Sequence, residues 1–421
     1  MLSKRYAHLF LIFPLLFTGW RPALGTDQTS YWPAEIKDDS GAWTGRLTRH
    51  DAVLALLTVR GSPKERGAAH GKLLEAEVRK LVKSVKAYLL PTPENKDAQA
   101  KFEQCLDGAR VMKKFIDADV NEELEACAQA AGVDPTELLL TQLFGDVNRA
   151  KGFTSFCTAF AAFGPETSDG RLLVGRNFDY AGHGLEGTLP LILQEIPSGP
   201  GAGRSFGTVG YAGILNGWTA VNEDGLCASN NTLFGGKDRL EGVSTCFLLR
   251  QIVERCKTVE DGVALIQKAQ RACTTGMLVA GRNVKAEWDA RFVEFDAELC
   301  EVVAPTDGVV LSSNMRQKLA VGDSPPTLNP SCPRFRALKA VLDKSKGSLK
   351  FNDAAPVGAF GVYMRINLHC ALLDPQAHLL KVAFSDGSGK PAAEFPFYTF
   401  EILKDKVVLK TNAERGTRNA E

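Results

Sequence analysis

Apolar positions follow two rhythms along this chain, and the change falls near residue 157. Upstream, apolar residues recur mainly at helical spacing. A strand is expected over Ala52 to Val59, with a turn over Gly61 to His70. Helices are expected from about Leu73 to Leu89, Ala98 to Ala118 and Val120 to Ala131, and Pro91-Thr92-Pro93 stops the first. Asp134-Pro135 caps another, through about Phe144. Downstream, short apolar runs bounded by Gly, Asn and Asp read as strands. They are Leu172 to Gly175, Leu189 to Ile196, Gly207 to Tyr211, Trp218 to Val221 and Leu226 to Ser229. Two helices follow, Thr245 to Lys257 and Val259 to Arg271. Strands resume at Gly276 to Gly281, Ala290 to Asp296, Cys300 to Ala304 and Val309 to Ser312. A helix over Arg334 to Lys344 precedes a strand pair around Asp374-Pro375. Strands, two helices and strands again imply two sheets with helices packed outside them.

The junction itself is a hairpin pattern. Asp169-Gly170 lies between two apolar runs, which predicts a two-residue turn. Counting back along both arms sets Cys157 opposite a residue near Tyr180 to Gly182. Asp179 then lies within about one residue pair of the thiol, on the order of 5–8 Å. A nucleophilic sulfur, a guanidinium (Arg176) and a carboxylate (Asp179) share one short unit.

Composition narrows the function classes. The 421 residues carry 50 Lys+Arg against 49 Asp+Glu, a net charge of +1 that offers no footprint for nucleic acid. Lys4 and Arg5 precede an apolar run from Leu9 to Phe17, and Ala23-Leu24-Gly25 follows. This predicts a secretory signal over residues 1–25 and a secreted or periplasmic protein. The run is short for a bilayer and Pro14 interrupts it, so no stable membrane span is expected. The ten cysteines contain no Cys-x-x-Cys pair and leave disulfide pairing open. His50, His70, His183, His369 and His378 lack metal-ligand spacing. No metal or organic cofactor is implied, and homo-oligomerisation stays open.

Cys157-Thr158, then Asp169-Gly170, then Gly175-Arg176-Asn177-Phe178-Asp179 resemble, in order, the N-terminal-nucleophile hydrolases. The branch is that of choloylglycine hydrolases and acyl-coenzyme A:6-aminopenicillanic acid acyltransferases. Arg60-Gly61-Ser62-Pro63 to His70-Gly71, and Glu122 to Val133, favour the acyltransferase side. The resemblance runs from about Val59 to Ser385 and implies an α+β fold, the four-layer αββα sandwich. It implies a mainly helical segment over 26–156 and a catalytic segment over 157–421, freed by cleavage between Phe156 and Cys157. Phe156 stands where the acyltransferases have glycine. A free α-amine at Cys157 titrates at about 7.7–8.0 and can take the thiol proton. Asp179 would then hold that amine, and Arg176 would steady the thiolate or orient Asp179. By resemblance, Asn231 and Asn314 donate to the oxyanion, with Asn230 a rival to Asn231, and Arg334 sits near the pocket. The implied substrate is a small-molecule amide with an apolar acyl group, hydrolysed or transferred. Two alternatives remain. Gly203-Arg204-Ser205-Phe206-Gly207 fits the serine elbow of α/β-hydrolases, which must follow a strand and open a helix. A secreted binding protein of the same fold needs no catalysis.

Overall fold

Three strands come first among the described residues: β1 (Ala34–Lys37), β2 (Trp43–Arg49) and β3 (Ala55–Gly61). The computed structural model describes residues 34–49, 54–148, 155–182, 184–185, 187–320, 332–353, 355–359, 361–403 and 406–410. The signal-like stretch, His50 and His183 lie outside these. The stretch expected as a turn is α1 (Pro63–Leu73), and Leu74 separates it from α2 (Glu75–Leu89). Ser62 and Glu65 form a reciprocal capping box that starts α1. Its glycines suggest a turn, but they serve a close helix crossing. A Cβ on Gly67 would meet the Glu123 carbonyl oxygen at 2.1 Å, and one on Gly71 the Cys127 carbonyl oxygen at 2.3 Å. Those carbonyls belong to α4 (Ala118–Ala131), which follows α3 (Lys96–Lys113). Asp134 caps α5 (Pro135–Val147), as its sequence predicts.

The central hairpin is β4 (Ser155–Gly164) and β5 (Gly170–Tyr180). Then come β6 (Pro190–Pro197), β7 (Phe206–Tyr211), β8 (Thr219–Asn222) and β9 (Cys227–Thr232). Helices α6 (Thr245–Arg255) and α7 (Val259–Lys268) lead to β10 (Thr275–Arg282), β11 (Trp288–Phe295), β12 (Cys300–Val303) and β13 (Val309–Ser312). The chain continues through α8 (Pro333–Ser345), α9 (Ala355–Gly358), β14 (Asn367–Asp374), β15 (Leu379–Phe384), β16 (Tyr398–Leu403) and β17 (Lys406–Lys410). Among the described residues no helix is long and apolar enough to cross a membrane.

One sheet runs β1-β2-β3-β6-β7-β8-β9-β10-β11-β12; the other runs β13-β4-β5-β14-β15-β16-β17. Helices α1, α6 and α7 lie on the first sheet, and α8 and α9 lie on the second. The sheets pack face to face, with β4 against β9, β10 and β11. Alternate residues of β4 and β5 (Ala159, Ala161, Leu172, Val174) point into this core with Leu193 and Leu278. The expected α+β sandwich of helix, sheet, sheet and helix layers is therefore present.

The hairpin loop spans residues 165–169, longer than the predicted two-residue turn. A distant segment shapes it: Thr167 bridges Leu349, and the Ser168 N–H donates to the Leu349 carbonyl. The longer loop resets the register, so Cys157 pairs with Phe178 and Asp179 with Phe156.

A buried ionic cluster joins the two halves of the sequence. Arg66 of α1 donates to Glu123 of α4 (2.8 Å) and Glu195 of β6 (3.1 Å). Arg250 of α6 donates to the same two carboxylates at 2.7 and 2.8 Å.

Candidate active site

Register places the thiol one pair from Asp179, but pleat separates their side chains. Cross-strand partners share a face. Cys157, Phe178 and Arg176 therefore point between the sheets, while Phe156, Asp179 and Asn177 point to the opposite face. Cys157 is buried, and Arg176 Nη2 donates to its Sγ at 3.1 Å. The same nitrogen donates to the carbonyl of Asn230.

The backbone of Cys157 is gripped at both ends. Its N–H donates to Asn314 Oδ1 at 2.7 Å, and its carbonyl accepts from Arg334 Nη1 at 2.8 Å. Arg334 opens α8 and reaches Asn314 Oδ1 (2.8 Å) and Asp179 Oδ2 (3.3 Å). Cys157, Asn314, Arg334 and Asp179 thus form one hydrogen-bonded group, and Asp179 meets the Cys157 backbone through Arg334. Phe156 packs on Phe234, with ring centroids 6.2 Å apart, and Arg334 lies over its ring.

Asp179 also accepts from Asn367 Nδ2 (2.8 Å) and the Met364 N–H (3.2 Å). Burial pushes its pKa up to about 6, against the pull of Arg334 and these donors. A carboxyl raised this way binds its proton more tightly folded than unfolded. Its stabilising contribution is complete below about pH 4 and is lost as pH rises through about 6. Asp179→Asn is therefore expected to flatten the stability profile between pH 4 and 6 relative to wild type. Urea midpoints measured across that range check this; parallel profiles would refute it.

The two asparagines expected as oxyanion donors have their amide N–H groups engaged. Asn231 Nδ2 donates to Ser312 Oγ (3.1 Å) and the Ser313 carbonyl (3.3 Å), tying β9 to β13. Asn314 Nδ2 donates to the Thr232 carbonyl at 2.7 Å. Asn230 lies on the other face of β9 and lines a cleft of about 40 Å³ with Phe144, Tyr180, Trp218 and Cys246. Its Oδ1 has no protein partner. The cleft is one residue from the thiol, because Arg176 bridges Cys157 Sγ and the Asn230 backbone.

Ser205 is buried immediately before β7. A strand follows it, not the helix that a serine elbow opens. Among the described residues no group of three or more His, Cys, Asp or Glu could hold a metal ion. Sequence reasoning missed Asn367, Thr219 and His369. They sit in no motif; strand pairing brings Asn367 and His369 to the site, and sheet packing brings Thr219.

Residues 166–301 match the family model described as acyl-coenzyme A:6-aminopenicillanic acid acyl-transferase. The chain resembles that family. The match takes in Arg176, Asp179, Asn230 and Asn231 and stops short of Cys157, Asn314 and Arg334. Protein dcd1A of Dictyostelium discoideum is 23% identical over 84% of this chain and 85% of its own length. An uncharacterized protein of Archaeoglobus fulgidus is 25% identical over 51% of this chain and 39% of its own. Among solved structures, a Caenorhabditis elegans N-acylethanolamine-hydrolyzing acid amidase ortholog aligns at 14% identity and a TM-score of 0.41. That alignment covers 52% of this chain and 93% of that one. Penicillin V acylase from Agrobacterium tumefaciens aligns at 13% identity and a TM-score of 0.36, covering 59% and 93%.

Proposed function

We propose that this chain is an exported cysteine amidohydrolase or acyltransferase that cuts itself between Phe156 and Cys157. It then acts on the linear C–N amide bond of an N-acylated small molecule with an apolar acyl group. The observation that carries the reading is the placement of Cys157. Its sulfur faces a buried guanidinium at 3.1 Å, while Asn314 and Arg334 grip its backbone nitrogen and carbonyl. A strand cysteine with only a packing role has no use for a buried guanidinium on its sulfur.

In the self-processing step the Cys157 sulfur adds to the Phe156 carbonyl, and the peptide nitrogen leaves as the α-amine of Cys157. Water then hydrolyses the resulting thioester. In turnover that amine takes the thiol proton, sulfur attacks the substrate carbonyl, and the amine returns the proton to the departing nitrogen. Water or an acceptor amine releases the acyl group. Asn314 Oδ1, already on the Cys157 nitrogen, is placed to hold the amine. Asn230, at the cleft, is the favoured oxyanion donor over Asn231, whose amide is engaged elsewhere. The aromatic walls Phe144, Tyr180 and Trp218 suit an apolar acyl group. Export rests on the signal-like N-terminus.

Purified wild type is tested by intact mass and by turnover of N-acyl amino acids, penicillin-type amides and conjugated bile acids. The expected result is two fragments, one beginning at Cys157, and hydrolysis of at least one class. Activity in protein that remains a single chain would overturn self-processing. Turnover lost in Ser205→Ala and kept in Cys157→Ala would overturn the choice of nucleophile.

A further inference from the structure

A guanidinium can steady a thiolate only if something fixes where it points. Arg176 is fully buried, and its Nε has no protein partner. Its orientation is therefore set by what its two terminal nitrogens touch. Nη2 is committed to Cys157 Sγ and the Asn230 carbonyl. Nη1 donates to Thr219 Oγ1 at 3.3 Å, and that hydroxyl lies 3.2 Å from His369 Nε2. These four side chains form a continuous line from β14 through β8 and β5 to the sulfur on β4.

The sheet is built irregularly to make this line. β14 pairs Asn367 with Asp179 and His369 with Phe178, one residue too many on the β14 side. Such a bulge re-aims the side chains around it. Without it His369 would fall opposite Asn177 and face away from Arg176. With it, Asn367 meets Asp179 and His369 turns between the sheets. Its ring lies on Phe178 (centroids 5.1 Å, planes at 29°) and meets Phe384 edgewise.

The line holds with either neutral imidazole tautomer. Thr219 Oγ1 accepts from Arg176 and keeps one proton and one lone pair, so it gives a proton to His369 Nε2 in one tautomer and accepts one from it in the other. His369 Nδ1 has no protein partner, so Nε2 is the ring's hydrogen-bonding atom in this line. Burial, with Arg176 adding to it, holds the His369 pKa well below the ordinary value, so the ring stays neutral.

We propose that Thr219 and His369 are positioning residues that hold the Arg176 guanidinium against Cys157 Sγ and thereby set the acidity of the thiol. This rests on Cys157 being the nucleophile. Other charged or titratable groups around the pair are Asp179 on β5, Cys246 on α6 and Arg334 on α8.

The test is the pH dependence of iodoacetamide alkylation at Cys157 in processed full-length protein, read from the mass of the Cys157 peptide. Thr219→Val and His369→Phe keep shape and ring stacking while breaking the line. Each is expected to raise the alkylation midpoint by about one pH unit, and to lower kcat about tenfold with KM within about twofold. His369→Gln, which can still accept from Thr219, should recover most of both. If either folded variant keeps the wild-type midpoint, the positioning role is overturned, however much its stability falls. A wild-type midpoint at the ordinary thiol value of about 8.5 would overturn this proposal, whereas turnover kept in Cys157→Ala would overturn the nucleophile assignment it rests on.

Discussion

Cys157→Ala is expected to leave the chain in one piece and to lower amide turnover about 10⁴-fold or more. In the proposed mechanism cutting and turnover use the same sulfur, so one substitution removes both. The methyl group fits the site without strain, since Cys157 is buried beside Phe178 and the small residue Ala159. Loss of function in this variant is therefore not loss of fold. The decisive measurement pairs a denaturing gel with far-ultraviolet circular dichroism and a turnover assay. Unchanged secondary structure, a single band and no turnover agree with the mechanism. A cut Cys157→Ala chain would mean that another group opens the Phe156 carbonyl.

Arg250→Met is expected to lower stability by about 3–5 kcal/mol, seen as a fall in the denaturant midpoint at pH 7. Arg250 is fully buried and donates to Glu123, Glu195 and the Leu215 carbonyl, and it also pairs with Glu254 at 3.1 Å. Burial opposes the charge on Glu123, yet Arg250 and Arg66 hold its carboxyl down to about 2. Burial pushes Glu195 the other way, up to about 8. Methionine matches the bulk of arginine but leaves Arg66 to face both carboxylates alone. Glu123 loses one of its two cations, and buried oxygens of Glu195 and Leu215 lose a donor, so the cost is that of unpaired polar groups rather than lost packing. Lys339→Met, which breaks the exposed Lys339–Asp343 pair on α8, should leave the midpoint where it is. Equal effects from the two variants would show that burial is not what makes the cluster matter.

The hairpin was legible in the sequence because its signals are local: Asp169-Gly170, two apolar arms and a fixed residue count. That count brought Cys157 and Asp179 together, but the face each occupies depends on register. Register was set by the contact of Thr167 and Ser168 with Leu349, which no local pattern records. β1 and β2 lie at a sheet edge, where exposed Glu35 and Arg46 dilute the apolar signal. Helix α1 was hidden by Gly67 and Gly71, which serve a helix crossing rather than a turn. Arg334 and Asn314 were found by resemblance, and the structure brings both to the Cys157 backbone. His369 was invisible because a strand irregularity far along the chain places it, and Thr219 because the packing of one sheet on the other brings it to Arg176.

The strand order has a thermodynamic consequence. β3 and β6 run parallel as neighbours within one sheet, yet they come from opposite sides of the Phe156–Cys157 bond. Scission there would leave two polypeptides interleaved in a shared ladder. Melting such a species would release separate molecules, and recovery would require them to meet again. Renaturation would then slow on dilution, whereas the unbroken precursor would recover at a rate independent of concentration.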